Sequence, residues 1–126
     1  MRHRAIDAGE DGGFAQFNLG LLYAELNRME DAEKALQASL DIEPNNARAA
    51  FNLAVMKAGK NYPECFRLLN IAIEADPYNT RYIETLAYYY MQTRQADLAK
   101  KILEQATERG ANSRDIQSMI RQLMAQ

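Results

Sequence analysis

The chain repeats itself, and that constrains its fold more than any other feature. Asn18-Leu19-Gly20 returns as Asn52-Leu53-Ala54 and again as Thr85-Leu86-Ala87, at spacings of 34 and 33 residues. A second set, Ala32, Cys65 and Ala99, recurs at 33 and 34 residues, accompanied by Leu36, Leu69 and Leu103. Pro44 and Pro77 are also 33 apart. The two sets slip in opposite order, so one residue is missing between them in the middle unit alone.

Each unit reads as two helices. Ala, Leu, Glu, Gln, Arg and Met dominate the chain, and these are strong helix formers. Leu19, Leu22, Tyr23 and Leu26 recur at intervals of three and four, as on one helix. In the first unit the pattern predicts a helix from about Phe14 to Leu26, a turn at Asn27-Arg28, and a second helix from Met29 to Glu43. Pro44-Asn45-Asn46 ends it, because proline cannot continue a helix. Gly59-Lys60-Asn61 is the turn of the second unit, with Pro63 in a first helical turn where it is tolerated. Thr93-Arg94 turns the third unit, and Gly110 closes its last helix.

These residues resemble the tetratricopeptide repeat, whose pattern is a leading aromatic, Leu-Gly-x-x-Tyr, Ala-x-x-x-aromatic and then Pro. Leu19-Gly20-x-x-Tyr23, Ala32-x-x-x-Leu36 and Pro44 match in the first unit. Leu53-Ala54, Cys65-x-x-x-Leu69 and Pro77 match in the second, and Leu86-Ala87-x-x-Tyr90 and Ala99-x-x-x-Leu103 in the third. Lys57 stands where the second unit should carry Tyr, and Gln16, Ala50 and Ile83 replace the leading aromatic. The resemblance implies an all-α fold, a right-handed superhelical solenoid of antiparallel helix pairs with a C-terminal capping helix. Its small residues (Gly20, Ala54, Ala87; Ala32, Cys65, Ala99) are expected where helices approach closely. Leu19, Tyr23, Leu36, Leu69, Leu86, Tyr90 and Leu103 are expected to fill the space between.

The repeat register divides the chain into 13–46, 47–78 and 79–111, with 112–126 as the cap. Residues 1–12 read as a leader or the remnant of an earlier repeat, since Ala5-Ile6-Asp7-Ala8 falls where Ala72-Ile73-Glu74-Ala75 lies, with Gly9-Glu10-Asp11-Gly12 at the turn. On that reading the chain is the C-terminal part of a longer array or protein. The last helix, capped by Asn112 or Ser113, carries Ile116, Met119, Ile120, Leu123 and Met124 on one side. Its other side is polar, as a terminal helix of a solenoid requires.

Composition excludes most chemistry. Fifteen Lys and Arg against seventeen Asp and Glu leave a net charge of −2, without the basic surface that nucleic acid requires. No apolar run is long enough to enter a membrane, and acidic residues follow Met1-Arg2-His3-Arg4 where a signal peptide needs an apolar core. One Cys and one His leave no disulfide framework and no raw material for most metal or nucleophile–base sites. Cys65 reads as a buried small residue, His3 as inert, and Asp7, Glu10 and Asp11 as a solvated turn. No catalytic residue, cofactor or metal is expected, and the cytoplasm is the default compartment. At this length one continuous core is expected.

In the tetratricopeptide family, stacked first helices line a concave groove that holds a partner's peptide. The resemblance places Phe14, Phe17, Asn18, Leu21 and Glu25 of the first unit on that face. Arg48, Phe51, Asn52 and Val55 follow from the second, and Arg81, Glu84, Thr85, Tyr88 and Gln92 from the third. An Asn amide both donates and accepts, so Asn18 and Asn52 suit a peptide backbone, while Arg48 and Arg81 suit a carboxylate. Chaperone-binding members clamp a C-terminal carboxylate with Lys, Asn and Arg. Asn52 and Arg81 fit that set but Phe17, Leu21 and Thr85 depart from it, which implies an apolar or amphipathic segment instead. Tyr88-Tyr89-Tyr90 cannot form one stacking surface, because consecutive helical residues point 100° apart; Tyr90 belongs to the core, Tyr88 to the groove and Tyr89 against a neighbouring repeat. The leading function is a noncatalytic scaffold for a protein or peptide segment. The alternatives are an accessory domain at the C-terminal end of a larger enzyme, or self-association through an uncovered N-terminal face or the Tyr-rich helix.

Overall fold

The computed structural model describes residues 8–125 and contains, among them, seven helices and no strand. These are α1 (Ala8–Glu25), α2 (Met29–Ile42), α3 (Ala47–Lys57), α4 (Tyr62–Ala75), α5 (Thr80–Gln92), α6 (Ala96–Glu108) and α7 (Arg114–Met124). This is the all-α helical-repeat class expected from the spacing. The chain divides into two compact units, Met1–Ala72 and Ile73–Gln126, the division falling inside α4. Each unit is described by itself below.

One expectation is corrected at the start. The structure carries α1 through Gly9-Glu10-Asp11-Gly12, where the repeat register places a turn. The reason is close packing: without side chains, Gly12 and Gly13 lie directly on Ile42 and Glu43 at the end of α2. The buried Ser39 hydroxyl donates to the Gly13 carbonyl at 3.0 Å and ties the two helices together there. Residues Ala5-Ile6-Asp7 of the upstream match lie outside the described residues.

The core of the first unit follows the small-residue register. Ala32, Leu36, Ala54, Cys65 and Leu69 are fully buried. A Cβ added at Gly20 would sit 2.8 Å from Leu36 Cγ and 2.9 Å from its Cδ2, closer than real carbon atoms approach. Gly20 is therefore what lets α1 reach α2. Leu19 departs from the expected filling role: it is 37% exposed, whereas its counterpart Leu53 is 1% exposed. The difference has a local cause, since α2 packs against α3 and no described helix precedes α1.

Lys57, the residue in place of the repeat's Tyr, also has a physical explanation. Its Nζ lies 3.1 Å from Glu33 Oε1 on α2, and Lys60 Nζ lies 2.7 Å from Glu33 Oε2. An ion pair thus replaces an aromatic contact. Burial alone pushes the Glu33 carboxyl up, but hydrogen bonds from Lys60 and Lys57, with their charges, outweigh it and hold the carboxyl below its ordinary range. The pairing therefore stabilises the fold above the ordinary glutamate pKa of 4.5 and is lost as pH falls through the lowered folded value. Lys60 is well exposed, so solvent screening limits the gain to about 1 kcal/mol or less. Glu33→Gln is expected to lower stability by that amount at pH 7 and by much less near pH 3, as urea titrations at the two pH values would show. An equal difference at both would contradict the assignment.

The second unit is built on Ile83, Ala87, Ala99, Leu103, Ala106, Ala111, Ile116 and Leu123, with Tyr90 packed against them. Ile116 and Leu123 belong to α7, which packs on α6 and α5 and closes this core. Ser113, one of the two expected caps, accepts from the Ile116 N–H at 3.0 Å.

The turns repeat as well. After α1, Asn27 N–H bonds the Ala24 carbonyl and Arg28 N–H bonds the Tyr23 carbonyl. After α5, Arg94 bonds Met91 and Gln95 bonds Tyr90 in the same way, and after α6 Gly110 bonds Thr107 and Ala111 bonds Ala106. This is the Schellman closure, whose central residue takes a left-handed conformation. Asn27, Arg94 and Gly110 have φ of 61°, 63° and 92°. Arginine is the costly one, at about 1–2 kcal/mol. Part of that is offset in a glycine variant by the greater freedom of its unfolded chain. Arg94→Gly is expected to raise stability by about 0.5–1 kcal/mol; an unchanged or lower melting temperature would argue against strain at this turn.

Candidate protein-interaction face

In the first unit, α1 turns Gly13, Phe17 and Gly20 inward, leaving Phe14, Asn18 and Leu21 on the flank. Helix α3 buries Ala49, Ala50, Leu53 and Ala54 and leaves Arg48 and Val55 exposed, with Phe51 and Asn52 half-buried. The two first helices meet where the Arg48 guanidinium lies 4.7 Å above the centre of the Phe17 ring. A cation over an aromatic face is worth about 0.5–1 kcal/mol at an exposed site. It also fixes the reach of Arg48, because the guanidinium is held against α1.

Phe17 requires a correction. Expected as an exposed groove residue, it is only 3% exposed and forms a floor beneath Arg48. It precedes Gly20 by three residues, so the two share one side of the helix, and Gly20 is where α1 meets α2. Phe14, one turn earlier and on the flank, is 65% exposed and is the large apolar side chain this face offers.

Asn52 is partly committed. Its amide donates to the Arg48 carbonyl at 2.8 Å, four residues back. Thr85, 33 residues later, does the same with its hydroxyl to the Arg81 carbonyl, also at 2.8 Å. Asn52 and Thr85, at the same repeat position, thus each bond back to their own helix. The Asn52 carbonyl and its second N–H remain for a ligand.

In the second unit, Arg81, Thr85 and Tyr88 follow one another along α5 at helical spacing, with Arg81 and Tyr88 exposed and Thr85 half-buried. The Tyr88 and Tyr89 rings meet edge-on, 5.7 Å apart, and so form no flat platform. Glu84 has a role that sequence reasoning missed: its carboxylate accepts the Ser113 hydroxyl at 2.6 Å, tying α5 to the start of α7. A negative group at a helix N-terminus is favourable. The serine that caps α7 was legible, but the partner of its hydroxyl was not.

Among the described residues no group of His, Cys, Asp and Glu could hold a metal ion. Cys65 is fully buried, and burial pushes its thiol up to about 11; as a packed neutral thiol it is a poor nucleophile. No helix among the described residues is long and apolar enough to cross a membrane.

Comparisons with known proteins bear on this arrangement. The family model for the tetratricopeptide repeat matches residues 13–46, and a second tetratricopeptide repeat model matches residues 80–109. Among solved structures, the chain is similar to the N-terminal domain of stress-induced protein-1 (STI-1) from C. elegans. Identity is 16%, covering 94% of this chain and 98% of that one, with a TM-score of 0.81. It is also similar to the first TPR of Spaghetti (RPAP3) bound to the HSP90 peptide SRMEEVD, at 16% identity, 91% and 92% coverage and a TM-score of 0.73. No curated protein sequence matches. At such low identity the two structures speak for the fold. With a repeated small-residue register, helix pairs packed through it and repeat matches over both the first and third units, the chain belongs to the tetratricopeptide repeat family.

Proposed function

We propose that the chain is a noncatalytic protein-interaction module that holds a peptide or helical segment of a partner on its first helices. One observation carries the reading: on α1 and α3 a fixed cation, Arg48 over Phe17, lies on the same face as the exposed apolar side chains Phe14 and Val55. Apolar anchors beside a few oriented polar groups are the makeup of a recognition surface. Asn18 and the remaining valences of Asn52 supply backbone contacts, and in the second unit Arg81, Thr85 and Tyr88 stand at the matching repeat positions of α5. The solved relative that holds an HSP90 peptide supports a peptide as the ligand class. Leu21 and Thr85 favour an apolar or amphipathic segment over a carboxylate terminus.

The test is selection of binders from a displayed random-peptide library, followed by calorimetry. Phe14→Ala and Arg48→Ala are each expected to weaken the best binder about five- to tenfold, the equivalent of a lost contact of roughly 1–1.4 kcal/mol. Arg67→Ala on α4, where Arg67 is ion-paired to Glu64, is expected to leave affinity unchanged. Loss with Arg67→Ala and none with the first-helix variants would place binding elsewhere.

A further inference from the structure

Among the described residues the Arg48 guanidinium is a fixed cation that meets no carboxylate. It is held over the ring of Phe17, which is itself buried, while the ion pairs join Arg28, Lys57, Lys60 and Arg67 to other partners. Glu25, expected on the α1 side of this face, lies eight residues beyond Phe17, about 12 Å along the helix. Fold stability gives little reason for a cation here. Arg48 stands in the first turn of α3, where the helix dipole disfavours positive charge, and α2, α4, α6 and α7 carry acidic residues in their first turns. Asn52 and Val55 follow Arg48 by four and seven residues and share its side of α3. Asn52 keeps its carbonyl and one N–H open, and Val55 is exposed.

Building on the peptide-binding reading, we infer that Arg48 receives an acidic side chain from within an extended partner segment, with Asn52 holding the segment's backbone and Val55 seating an apolar side chain. Charge complementarity sets the first element, because a fixed guanidinium without a counter-ion selects a carboxylate that can take two of its N–H bonds. The open amide valences of Asn52 set the second. An extended backbone turns N–H and carbonyl groups outward, whereas a helix has used its own. Spacing sets the third: the seven residues from Arg48 to Val55 span about 10 Å of helix, or roughly three residues of extended chain. The segment therefore carries Asp or Glu three positions from an aliphatic or aromatic residue. Phe14, exposed one turn before Phe17, offers apolar surface to a segment that continues past Arg48, so the carboxylate belongs to a side chain and not to a chain end.

Binders selected from a random-peptide library are the probe, with affinity read by calorimetry. They are expected to share an acidic residue three positions from an apolar one. Replacing that acid by its amide in the best binder is expected to weaken binding about tenfold, and amidating the peptide's C-terminus to change nothing. In Arg48→Met, which keeps an unbranched stem over Phe17 without the charge, the acidic and amide peptides are expected to bind alike. Arg48→Glu adds a favourable first-turn charge to α3; it is expected to keep the melting temperature and to select binders with Lys or Arg in place of the acid. That charge swap decides the matter if the methionine variant does not fold. Binders that shift α1 and α3 amides but share no acidic residue would overturn the inference and leave the peptide-binding reading standing. So would an amide penalty that persists in Arg48→Met, or a loss on C-terminal amidation, which would assign the carboxylate to a chain end. Binders that map elsewhere, or a library that yields none, would overturn both.

Discussion

Truncating Leu36 to Ala is expected to cost about 2–5 kcal/mol, the range for deleting a fully buried leucine and leaving a cavity. Leu36 is fully buried, and it is the side chain that Gly20 accommodates. The partner substitution acts in the opposite sense. Gly20→Ala improves helix propensity by about 1 kcal/mol, but its Cβ must enter space that Leu36 Cγ and Cδ2 occupy. Overpacking of this kind costs about 1–3 kcal/mol, so the single variant is expected to be destabilised or at best neutral. In the Leu36→Ala background the new methyl meets vacated space. The double variant is therefore expected to be more stable than Leu36→Ala alone, with a coupling of about 1–3 kcal/mol. Additive effects, measured by denaturant titration of all four proteins, would mean that Gly20 and Leu36 do not meet.

The second large effect is expected from Ala87→Phe. Ala87 occupies in the second unit the place of Gly20 in the first, and it is fully buried in a cluster with Ala99, Leu103 and Ile83. A phenyl ring has no space there without moving α5 from α6. The cost is expected to be about 1–3 kcal/mol or more, read as a fall of several degrees in melting temperature. Ala87→Gly is the control: it removes only a methyl and weakens the helix by about 1 kcal/mol. An unchanged melting temperature in the phenylalanine variant would contradict the repeat register in this unit.

The parts of the fold that were legible in the sequence are those fixed by what is small. Gly20, Ala54, Ala87, Ala32, Cys65 and Ala99 sit at fixed spacings because two backbones can approach only over small side chains, and all are buried. The proline and glycine stops, and Ser113 as a cap, were legible because each acts on its own backbone. What was not legible depends on neighbours in space. Gly9-Glu10-Asp11-Gly12 looks like a turn, yet it is helical, with Gly12 and the next residue Gly13 lying against Ile42 and Glu43 at the end of α2. Leu19 matches Leu53 by spacing, but no helix among the described residues covers it. Phe17 could have been placed correctly, since its distance of three residues from Gly20 puts both on one side of α1. Lys57 looks like a broken motif until Glu33 is seen within reach. On the interaction face, residue types such as Phe14 and Asn18 could be read from the repeat, whereas the stacking of Arg48 on Phe17 could not.

The proposed binding on the first helices remains the point on which the function turns. Amide chemical-shift mapping with a library-selected peptide tests it most directly. Shifts are expected to concentrate at Phe14, Asn18, Leu21, Arg48, Asn52 and Val55 in the first unit and at Arg81, Thr85 and Tyr88 in the second. Shifts concentrated instead on α2 and α6, with those residues unmoved, would contradict it.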